Sequence, residues 1–369
     1  MISKEFIQAL VFSTPAVCAL ACMAMMLLDV LYTEKIRHEK SLRLFLALTF
    51  MVAAILWLCL VLQVINHRAF VRCFTLFTLA LMLDQVLIFR FVHIITATER
   101  GSGFSRLHFV IPVLLTAAST AITLTVPIDR QIEVVYGNGE GNRLFAVLNS
   151  LTSIVFVIYN ILYPLLGILR IRRYRRNVTD YSADVQRTSL NWLLLMQLLT
   201  LITIPLPIAG LLLNIDVFSS SSWLSTQGAL PTFFVYPILC YNLLSDNYVI
   251  IAPAHDNVPA PGNTFVIDPN RFSQYLQDKK PYLNPRLRIT DVAADLCTNR
   301  NYVSTFINKE YGMNFSRVIN RCRLEELARL HLLPTHKNNS NTELILSAGF
   351  SSYRNYLRVK SSEDRLVES

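Results

Sequence analysis

Residues 298–312, TNRNYVSTFINKEYG, place four side chains that can recognise nucleic-acid bases on one predicted helix. These side chains are Arg300, Asn301, Ser304 and Thr305. Arginine makes bidentate hydrogen bonds to guanine and asparagine to adenine, whereas serine and threonine are less selective. Apolar Val303 and Ile307 recur at helical spacing elsewhere around the helix, and Lys309 suits a phosphate contact. For each polar residue, exposure to solvent or contact with phosphate alone is the alternative role.

Two short helices around a tight turn would position these side chains. Thr298 or Asn299 can cap the longer helix, because a short side-chain oxygen satisfies amide groups left free in its first turn. Gly312 supplies the left-handed residue that ends that helix. Residues 291–296, DVAADL, predict a shorter helix upstream, joined through a turn at Cys297. This order predicts a helix-turn-helix, whose second helix can enter the major groove of DNA.

The same arrangement recurs nearer the C-terminus. Ser340 and Glu343 predict a capping box for a short helix, and a Gly-Phe turn follows that helix. Residues 351–360, SSYRNYLRVK, then predict a second recognition helix. Residues 314–333 carry apolar side chains at helical spacing and predict a long connecting helix, with Leu332 among its buried residues.

Two helix-turn-helix units on a connecting helix resemble the DNA-binding domain of AraC-type transcription regulators. The resemblance is carried by KPYLNPRLRITDVA, by NF-x(4)-N-x(2)-RL ending at Arg323-Leu324, and by AGFSSYRNYLR. It covers roughly the last hundred residues and implies specific binding of double-stranded DNA, with a structural role for Arg323. It also implies base contacts from the second recognition helix by Ser352, Tyr353, Arg354 and Asn355.

The end of the chain departs from the family pattern. That pattern continues after the second recognition helix with Phe-Lys, a further helix and a Gly-x-x-Pro segment. Here YLRVK lacks the phenylalanine, and SSEDRLVES follows. We therefore expect the first unit to dominate DNA affinity. The alternative is a degenerate helix-turn-helix domain that binds a protein partner instead of DNA.

The composition is too apolar for an ordinary soluble domain. Hydrophobic residues make up 53% of the chain and charged residues 16%, and mean hydropathy is +0.41. The apolar excess lies before residue 250, so we expect at least two parts with different solvent preferences. The formal net charge of +9 suits a polyanion or a lipid surface equally, and the helix-turn-helix pair favours DNA.

Seven apolar runs approach or exceed the roughly 20 residues needed to cross a bilayer. They are residues 6–31, 44–65, 73–89, 108–128, 144–169, 190–215 and 224–244. The predicted fold class is all-α: a seven-helix transmembrane bundle followed by a cytoplasmic double helix-turn-helix domain. The predicted domains are 1–247 for the membrane part, 248–263 for a proline-rich linker, and 264–369 for the DNA-binding domain. Six or eight crossings stay open, because Asp84 and Arg90 interrupt the third run.

Basic residues in the loops predict the orientation. With seven crossings, thirteen Lys and Arg lie on the side of the C-terminus and five on the other side, which puts the C-terminus in the cytoplasm. We expect a multi-pass protein of a bacterial inner (cytoplasmic) membrane, with its N-terminus outside. The basic run 170–176, RIRRYRR, fits a topology anchor on anionic headgroups better than a nucleic-acid patch.

Catalysis is not expected from this sequence. It contains no metal-ligand set, nucleophile elbow, phosphate loop or kinase signature, so we expect neither an enzyme nor a cofactor. The seven cysteines include no CxxC pair, and we interpret them as small buried thiols. Cys297 and Cys322 are accordingly expected in the core of the DNA-binding domain.

Asp84 is the candidate sensing residue, because a carboxylate inside an apolar run is costly unless it faces a partner or a water-filled cavity. Arg90 lies too far along the helix to pair with it, so the partner should come from another helix. The candidates are Asn149, Tyr159, Asn160, Gln197 and Gln227. The alternative role is a neutral, hydrogen-bonded Asp84 that holds helices together.

These patterns together favour a membrane-embedded one-component transcription regulator. A ligand or membrane state would alter the packing or pairing of the bundles and so change how two tethered domains are spaced on DNA, which is compatible with a homodimer. The identity of the signal stays open. The alternatives are a membrane receptor that binds a protein partner and a transporter with a regulatory tail.

Overall fold

The computed structural model describes residues 4–34, 37–97, 103–137, 142–202, 228–251, 267–333 and 340–367. Within these ranges the regular structure is helical, apart from an isolated antiparallel bridge between Ser182 and Arg288. The all-α prediction is therefore confirmed for the described residues. The chain divides into two compact units. The membrane unit comprises Met1–Ile95, Gly103–Ile171 and Asn191–Asp246, and the C-terminal unit comprises Thr96–Ser102, Arg172–Leu190 and Asn247–Ser369.

Each predicted apolar run overlaps a described helix of the membrane unit. In chain order the helices of this unit are α1 (Lys4–Tyr32), α2 (Arg37–Ile65), α3 (His67–Arg72), α4 (Phe74–Ile95), α5 (Val110–Thr125), α6 (Ile128–Tyr136), α7 (Arg143–Val178), α9 (Asn191–Ile202) and α10 (Ala229–Leu244). Two shorter helices, α3 and α6, lie outside the predicted runs apart from Ile128. A 3-10 turn, Arg106–Phe109, leads into α5. The last turns of α7 and the short helix α8 (Val185–Thr188) belong to the C-terminal unit.

Five of the described helices are long and apolar enough to cross a membrane. They are Lys4–Tyr32, Glu39–Ile65, Phe74–Ile95, Arg106–Thr125 and Arg143–Val178. The apolar helices α9 and α10 are shorter than a span. Residues 203–227, which include much of the sixth predicted run and the start of the seventh, lie outside the described residues. Several helices of this chain can thus span a membrane.

A buried arginine ties the start of α2 to other parts of the membrane unit. Arg43 is 0% exposed and forms ion pairs with Asp29 and with Asp246, the latter at 2.8 Å from Nη2 to Oδ1. Its Nη2 also donates to the backbone oxygen of Leu243 at 3.3 Å. The loop count treats Arg43 as a surface charge, but its burial makes it a structural cation that links the end of α1 with the end of α10.

The C-terminal unit contains the two predicted helix pairs and their connecting helix, preceded by a further helix. In chain order its helices are α11 (Pro269–Lys279), α12 (Ile289–Asp295), α13 (Arg300–Tyr311), α14 (Phe315–Leu332), α15 (Asn341–Ser347) and α16 (Tyr353–Val367), with a 3-10 turn at Pro281–Leu283. The predicted caps form at Asn299 and Ser340, and Asp268 caps α11; each of the three accepts from backbone N–H groups. Residues 252–266, which include most of the predicted linker 248–263, lie outside the described residues.

The core of this unit forms around α14. Phe315 and Ile319 are buried in its first half, which follows the first helix pair, α12 and α13. Leu327 and Leu330 pack with the second helix pair, α15 and α16. Between α15 and α16, Gly349 adopts φ 93°, and a Cβ there would lie 2.3 Å from the backbone oxygen of Tyr282. The turn therefore requires glycine both for its backbone conformation and for close packing.

Two predicted core residues are wrong. Leu332 is 84% exposed, because two residues after inward-facing Leu330 a helix points its side chain away from the core. Cys297 is exposed, since it occupies the turn with φ 55° and directs its side chain outward. Cys322 is half-buried.

Candidate nucleic-acid interface and intramembrane site

The first helix pair presents a polar face at the start of α13. Asn299 caps this helix by accepting from the backbone N–H groups of Asn301 and Tyr302, at 3.0 Å each. Gly312, with φ 61°, ends it. Val303 and Ile307 are fully buried, so the helix is held by one face. The polar residues on its other faces are exposed or half-buried.

The predicted base-reading residues of α13 are among these polar residues. Asn301, Thr305 and Lys309 are exposed, whereas Arg300 and Ser304 are half-buried. Ser304 Oγ lies 3.4 Å from Asn308 Nδ2, which donates to it. The structure therefore brings the five predicted contact residues of this helix together on a polar surface.

In the second helix pair, the predicted base-reading residues differ in their exposure to solvent. Tyr353 is 44% exposed, Arg354 is exposed and Ser352 is half-buried. Asn355, in contrast, is 1% exposed, and its Nδ2 donates to Ser351 Oγ at 2.9 Å. Ser352 Oγ accepts from the backbone N–H of Asn355 at 3.1 Å. In this structure Asn355 holds the start of α16 rather than facing solvent, although the resemblance implies a base contact there.

Arg323 joins the parts of the C-terminal unit from inside. It is 0% exposed and donates to three backbone oxygens, of Tyr282 at 2.8 Å, Asn284 at 2.7 Å and Ala183 at 3.2 Å. It also donates to Asn320 Oδ1 at 2.9 Å. Burial lowers the pKa of its guanidinium to about 10, so it stays charged at neutral pH. These bonds give Arg323 the structural role that the resemblance implies.

Ala183 belongs to a segment that the sequence places in a loop of the membrane domain. Residues 177–184, here called the docked segment, lie in the C-terminal unit. Tyr181 O accepts from Ile289 N at 3.0 Å, Ala183 N donates to Leu287 O at 3.3 Å, and Thr179 O accepts from Ser316 N at 3.0 Å. A break in the basic run, where NVTDYSAD carries two aspartates and no Lys or Arg, is the sequence signal that could have set this segment apart.

A cavity separates the docked segment from the polar face of α13. Its volume is about 200 Å³. Asn177, Asp180 and Tyr181 line it from the docked segment, together with Ile251, Ile289, Arg300, Asn301 and Ser304. Burial raises the pKa of the Asp180 carboxyl above its ordinary value. Three predicted base-reading residues thus face the chain's own backbone turn across this cavity.

Asp84 lies in a second, smaller cavity within the membrane unit. It is 9% exposed, and among the described residues its Oδ1 has no hydrogen-bond partner. The cavity has a volume of about 50 Å³ and also contains polar groups of Gln85, Asn160, Thr200, Thr232 and Tyr236. An unsatisfied buried oxygen in a polar cavity can accept a proton donor, a water molecule or a small cation.

One of the predicted partners of Asp84 shares its cavity. Asn160 lines it, whereas Asn149 lines another cavity and Tyr159 packs against Tyr163. Gln197 lies against Gly167, and Gln227 lies outside the described residues. Arg90 stacks over Phe45 and Phe104 at 5.3 Å and 5.8 Å, in keeping with the expectation that Asp84 is paired from another helix.

Comparison with protein-family models, with curated proteins and with solved structures finds no match to this chain. The AraC-type resemblance therefore rests on the motifs and on the helices that these motifs form.

Proposed function

We propose that this chain is a membrane-embedded one-component transcription regulator that binds specific double-stranded DNA through residues 264–369. One observation carries the proposal. Each end of the buried helix α14 packs against a short helix pair, and the second helix of each pair has exposed polar residues in its first turns. We interpret this arrangement as a double helix-turn-helix domain.

The length of α14 supports recognition of two adjacent major grooves. Its 18 residues extend over about 27 Å at 1.5 Å per residue. Helices packed at its two ends would be spaced close to one turn of DNA, about 34 Å. Arg300, Asn301, Ser304 and Thr305 would read bases on the first helix, with Lys309 on a phosphate. On the second helix Tyr353 and Arg354 have the exposure that direct contact requires.

The membrane unit would act as the sensor. The proposed arrangement is a seven-crossing bundle in a bacterial inner membrane, with the C-terminal unit in the cytoplasm, as the loop charges favour. Asp84 would be the sensing residue, because its unsatisfied oxygen faces a polar cavity. Signal binding must favour one bundle state over another to change DNA binding.

Selection of DNA by the full-length protein in lipid nanodiscs tests the function. A pool of random-sequence duplexes is passed over the protein for several rounds, and the enriched duplexes are sequenced and footprinted. A shared sequence with two protected segments one helical turn apart is the expected result. Enrichment without sequence preference, or no retention at 50 mM salt, would remove specific DNA binding.

The second candidate is a receptor that binds a protein partner, favoured by the burial of Asn355. The same selection separates the two candidates, because a protein-binding domain would enrich no DNA sequence.

A further inference from the structure

We propose that residues 177–184, the docked segment, are an internal competitor of DNA: they occupy the recognition side of the first helix pair and must leave before Arg300, Asn301 and Ser304 can read bases. This inference rests on the proposed function and adds its regulation. The interaction surface is formed by the starts of α12, α14 and α16, and its partner is a short acidic segment of the same chain.

The docked segment binds through its backbone at both sides of a bridge. Ser182 and Arg288 form the antiparallel bridge, flanked by the bonds Ala183 N to Leu287 O and Ile289 N to Tyr181 O. Ala183 is 0% exposed. Its carbonyl oxygen accepts from Asn320 Nδ2 and from Arg323 Nη1, each at 3.2 Å. A contact with this many paired backbone groups is a specific binding mode.

The docked segment touches both helix pairs at once. Thr179 O accepts from Ser316 N at the start of α14, and Ser351 Oγ lies 3.4 Å from Asp184 Oδ1. Ser351 directly precedes the second recognition helix. One segment therefore links the beginning of the first pair to the beginning of α16, so its departure would affect both predicted DNA contacts together.

The docked segment lies next to three of the predicted base-reading residues. Asn177, Asp180 and Tyr181 line the same cavity as Arg300, Asn301 and Ser304. A major groove that admits a helix is about 12 Å wide and brings phosphates to both sides of that helix. DNA that contacts these three residues would need the space beside them that the docked segment fills, so the two are alternative occupants.

The charge of the docked segment matches that of the ligand it would exclude. Its eight residues contain Asp180 and Asp184 and no Lys or Arg, although basic residues precede and follow it. Asp180 and Arg300 line the same cavity. A carboxylate near this arginine would contribute favourable charge interactions that a DNA phosphate would have to replace.

The docked segment directly continues a helix that begins in the membrane unit. Helix α7 runs from Arg143 to Val178, and its residues up to Ile171 belong to the membrane unit. A signal that alters α7 would therefore act on the chain next to the docked segment.

A disulfide that locks the docked segment in place is the direct test. Ser182 and Arg288 form a non-hydrogen-bonded antiparallel pair, whose Cα atoms lie about 4.5 Å apart, within the range that a disulfide spans. The variant S182C/R288C is made in full-length protein that also carries C297S, because Cys297 is exposed. Each single variant, S182C or R288C in the C297S protein, is a control. DNA is selected with the reduced protein in nanodiscs.

The locked and reduced forms are then compared on the selected duplex. At least a tenfold weaker affinity in the oxidised form, reversed by dithiothreitol and absent in both single variants, is the expected result. Equal affinity of the two forms would overturn the inference while leaving the proposed function intact. If neither form selects a DNA sequence, the proposed function fails, and the inference fails with it.

A variant that releases the docked segment should have the opposite effect on DNA affinity. Ala183→Pro removes the N–H that donates to Leu287 O and places a ring where the side chain is fully buried. Tighter binding of the selected duplex is expected, with helical content unchanged by circular dichroism. Weaker binding by a variant with unchanged helical content would mean that the docked segment is part of the DNA-binding form, and would contradict the inference.

Discussion

Arg323 donates a hydrogen bond from Nη1 to the backbone oxygen of Ala183, 3.2 Å away and 140 residues earlier in the chain. The same guanidinium bonds Tyr282 O and Asn284 O. One buried charge therefore holds together the connecting helix, the turn before the first helix pair, and the docked segment. The bond joins the loop after α7 to the centre of the proposed DNA-binding unit.

Replacing Arg323 should destabilise the C-terminal unit. Arg323→Met keeps much of the side-chain volume but removes the donor of Tyr282 O and one of two donors from Asn284 O and from Ala183 O. The expected cost is about 1–3 kcal/mol. Hydrogen exchange of the α14 amides in the full-length protein would measure the loss as reduced protection. Arg321→Met is the matched control, because Arg321 and its partner Glu325 are 60% and 69% exposed and such pairs contribute about 1 kcal/mol or less. Equal protection in both variants would contradict the prediction.

Replacing Arg43 should likewise destabilise the membrane unit. Arg43→Met leaves Asp29 and Asp246 without their shared buried cation, which should cost about 3–5 kcal/mol. Thermal unfolding in detergent should show a clearly lower Tm. Arg68→Met serves as control, because the Arg68–Asp129 pair is 70% and 75% exposed. A Tm for Arg43→Met that matches the control would show that the buried network contributes little.

Two substitutions on α13 should separate base reading from phosphate contact. Asn301→Ala should cost about 1–3 kcal/mol at one base position and relax the preference there. Lys309→Ala should weaken binding to all sequences alike and reduce the slope of affinity against salt concentration. Binding of selected and scrambled duplexes over a range of salt measures both effects. An equal loss on the two duplexes for Asn301→Ala would exclude Asn301 from base recognition.

Asp84 should control signalling rather than insertion. Asp84→Asn keeps the shape of the side chain but removes its charge, so a ligand or proton site would lose function. In cells carrying a reporter behind the selected DNA sequence, we expect the reporter output to change severalfold at normal membrane abundance. Thr78→Ala is the control on the same helix, because Thr78 Oγ1 is buried and donates to Phe74 O within α4. An unchanged reporter output for Asp84→Asn would show that Asp84 only holds helices together and is not the sensing residue.

The ionisation of Glu326 should make the stability of the C-terminal unit depend on pH. Hydrogen bonds from Arg329, with a further contribution from Lys280, lower the pKa of Glu326 from 4.5 to about 2. Because the pKa of Glu326 is lower in the folded than in the unfolded protein, its ionised form stabilises the fold. This contribution is complete above the unfolded-state pKa of about 4.5 and is lost as the pH falls from about 4.5 towards 2. After allowance for the half-exposed Arg329, the contribution is on the order of 1–3 kcal/mol.

Thermal unfolding followed by circular dichroism at pH 5 and pH 3 tests this dependence. The native chain should lose more stability between these values than Glu326→Gln, whose side chain does not titrate. An equal loss in the two proteins would show that other carboxyl groups dominate the acid response.

Local structure in the C-terminal unit follows closely from short sequence signals. The caps at Asp268, Asn299 and Ser340 and the left-handed Gly312 were predictable, because each depends on residues within three or four positions of one another. The apolar runs likewise predict helices long enough for a bilayer. The same reasoning misplaced Leu332 and Cys297, because periodicity and residue type do not say where a packed face ends.

Burial of individual polar groups was less predictable. Asn355 has the residue type of a base-reading side chain, yet it bonds Ser351 inside the unit. Arg43 counts as a loop charge in the sequence, yet it is fully buried between carboxylates. Whether a polar side chain faces solvent depends on neighbours that are distant in sequence, and composition does not specify those neighbours.

The amino-acid sequence predicts the all-helical class, the apolar helices and the two helix pairs with their connecting helix, since caps, glycines and the 3.6-residue period act over a few positions. The tertiary structure was needed to find that residues 177–184 belong with the C-terminal helices and line the same cavity as Arg300 and Asn301. The contacts responsible are backbone hydrogen bonds between Tyr181, Ala183 and residues 287–289. Any residue but proline carries the same backbone donor and acceptor, so such pairing leaves no mark in the order of side chains.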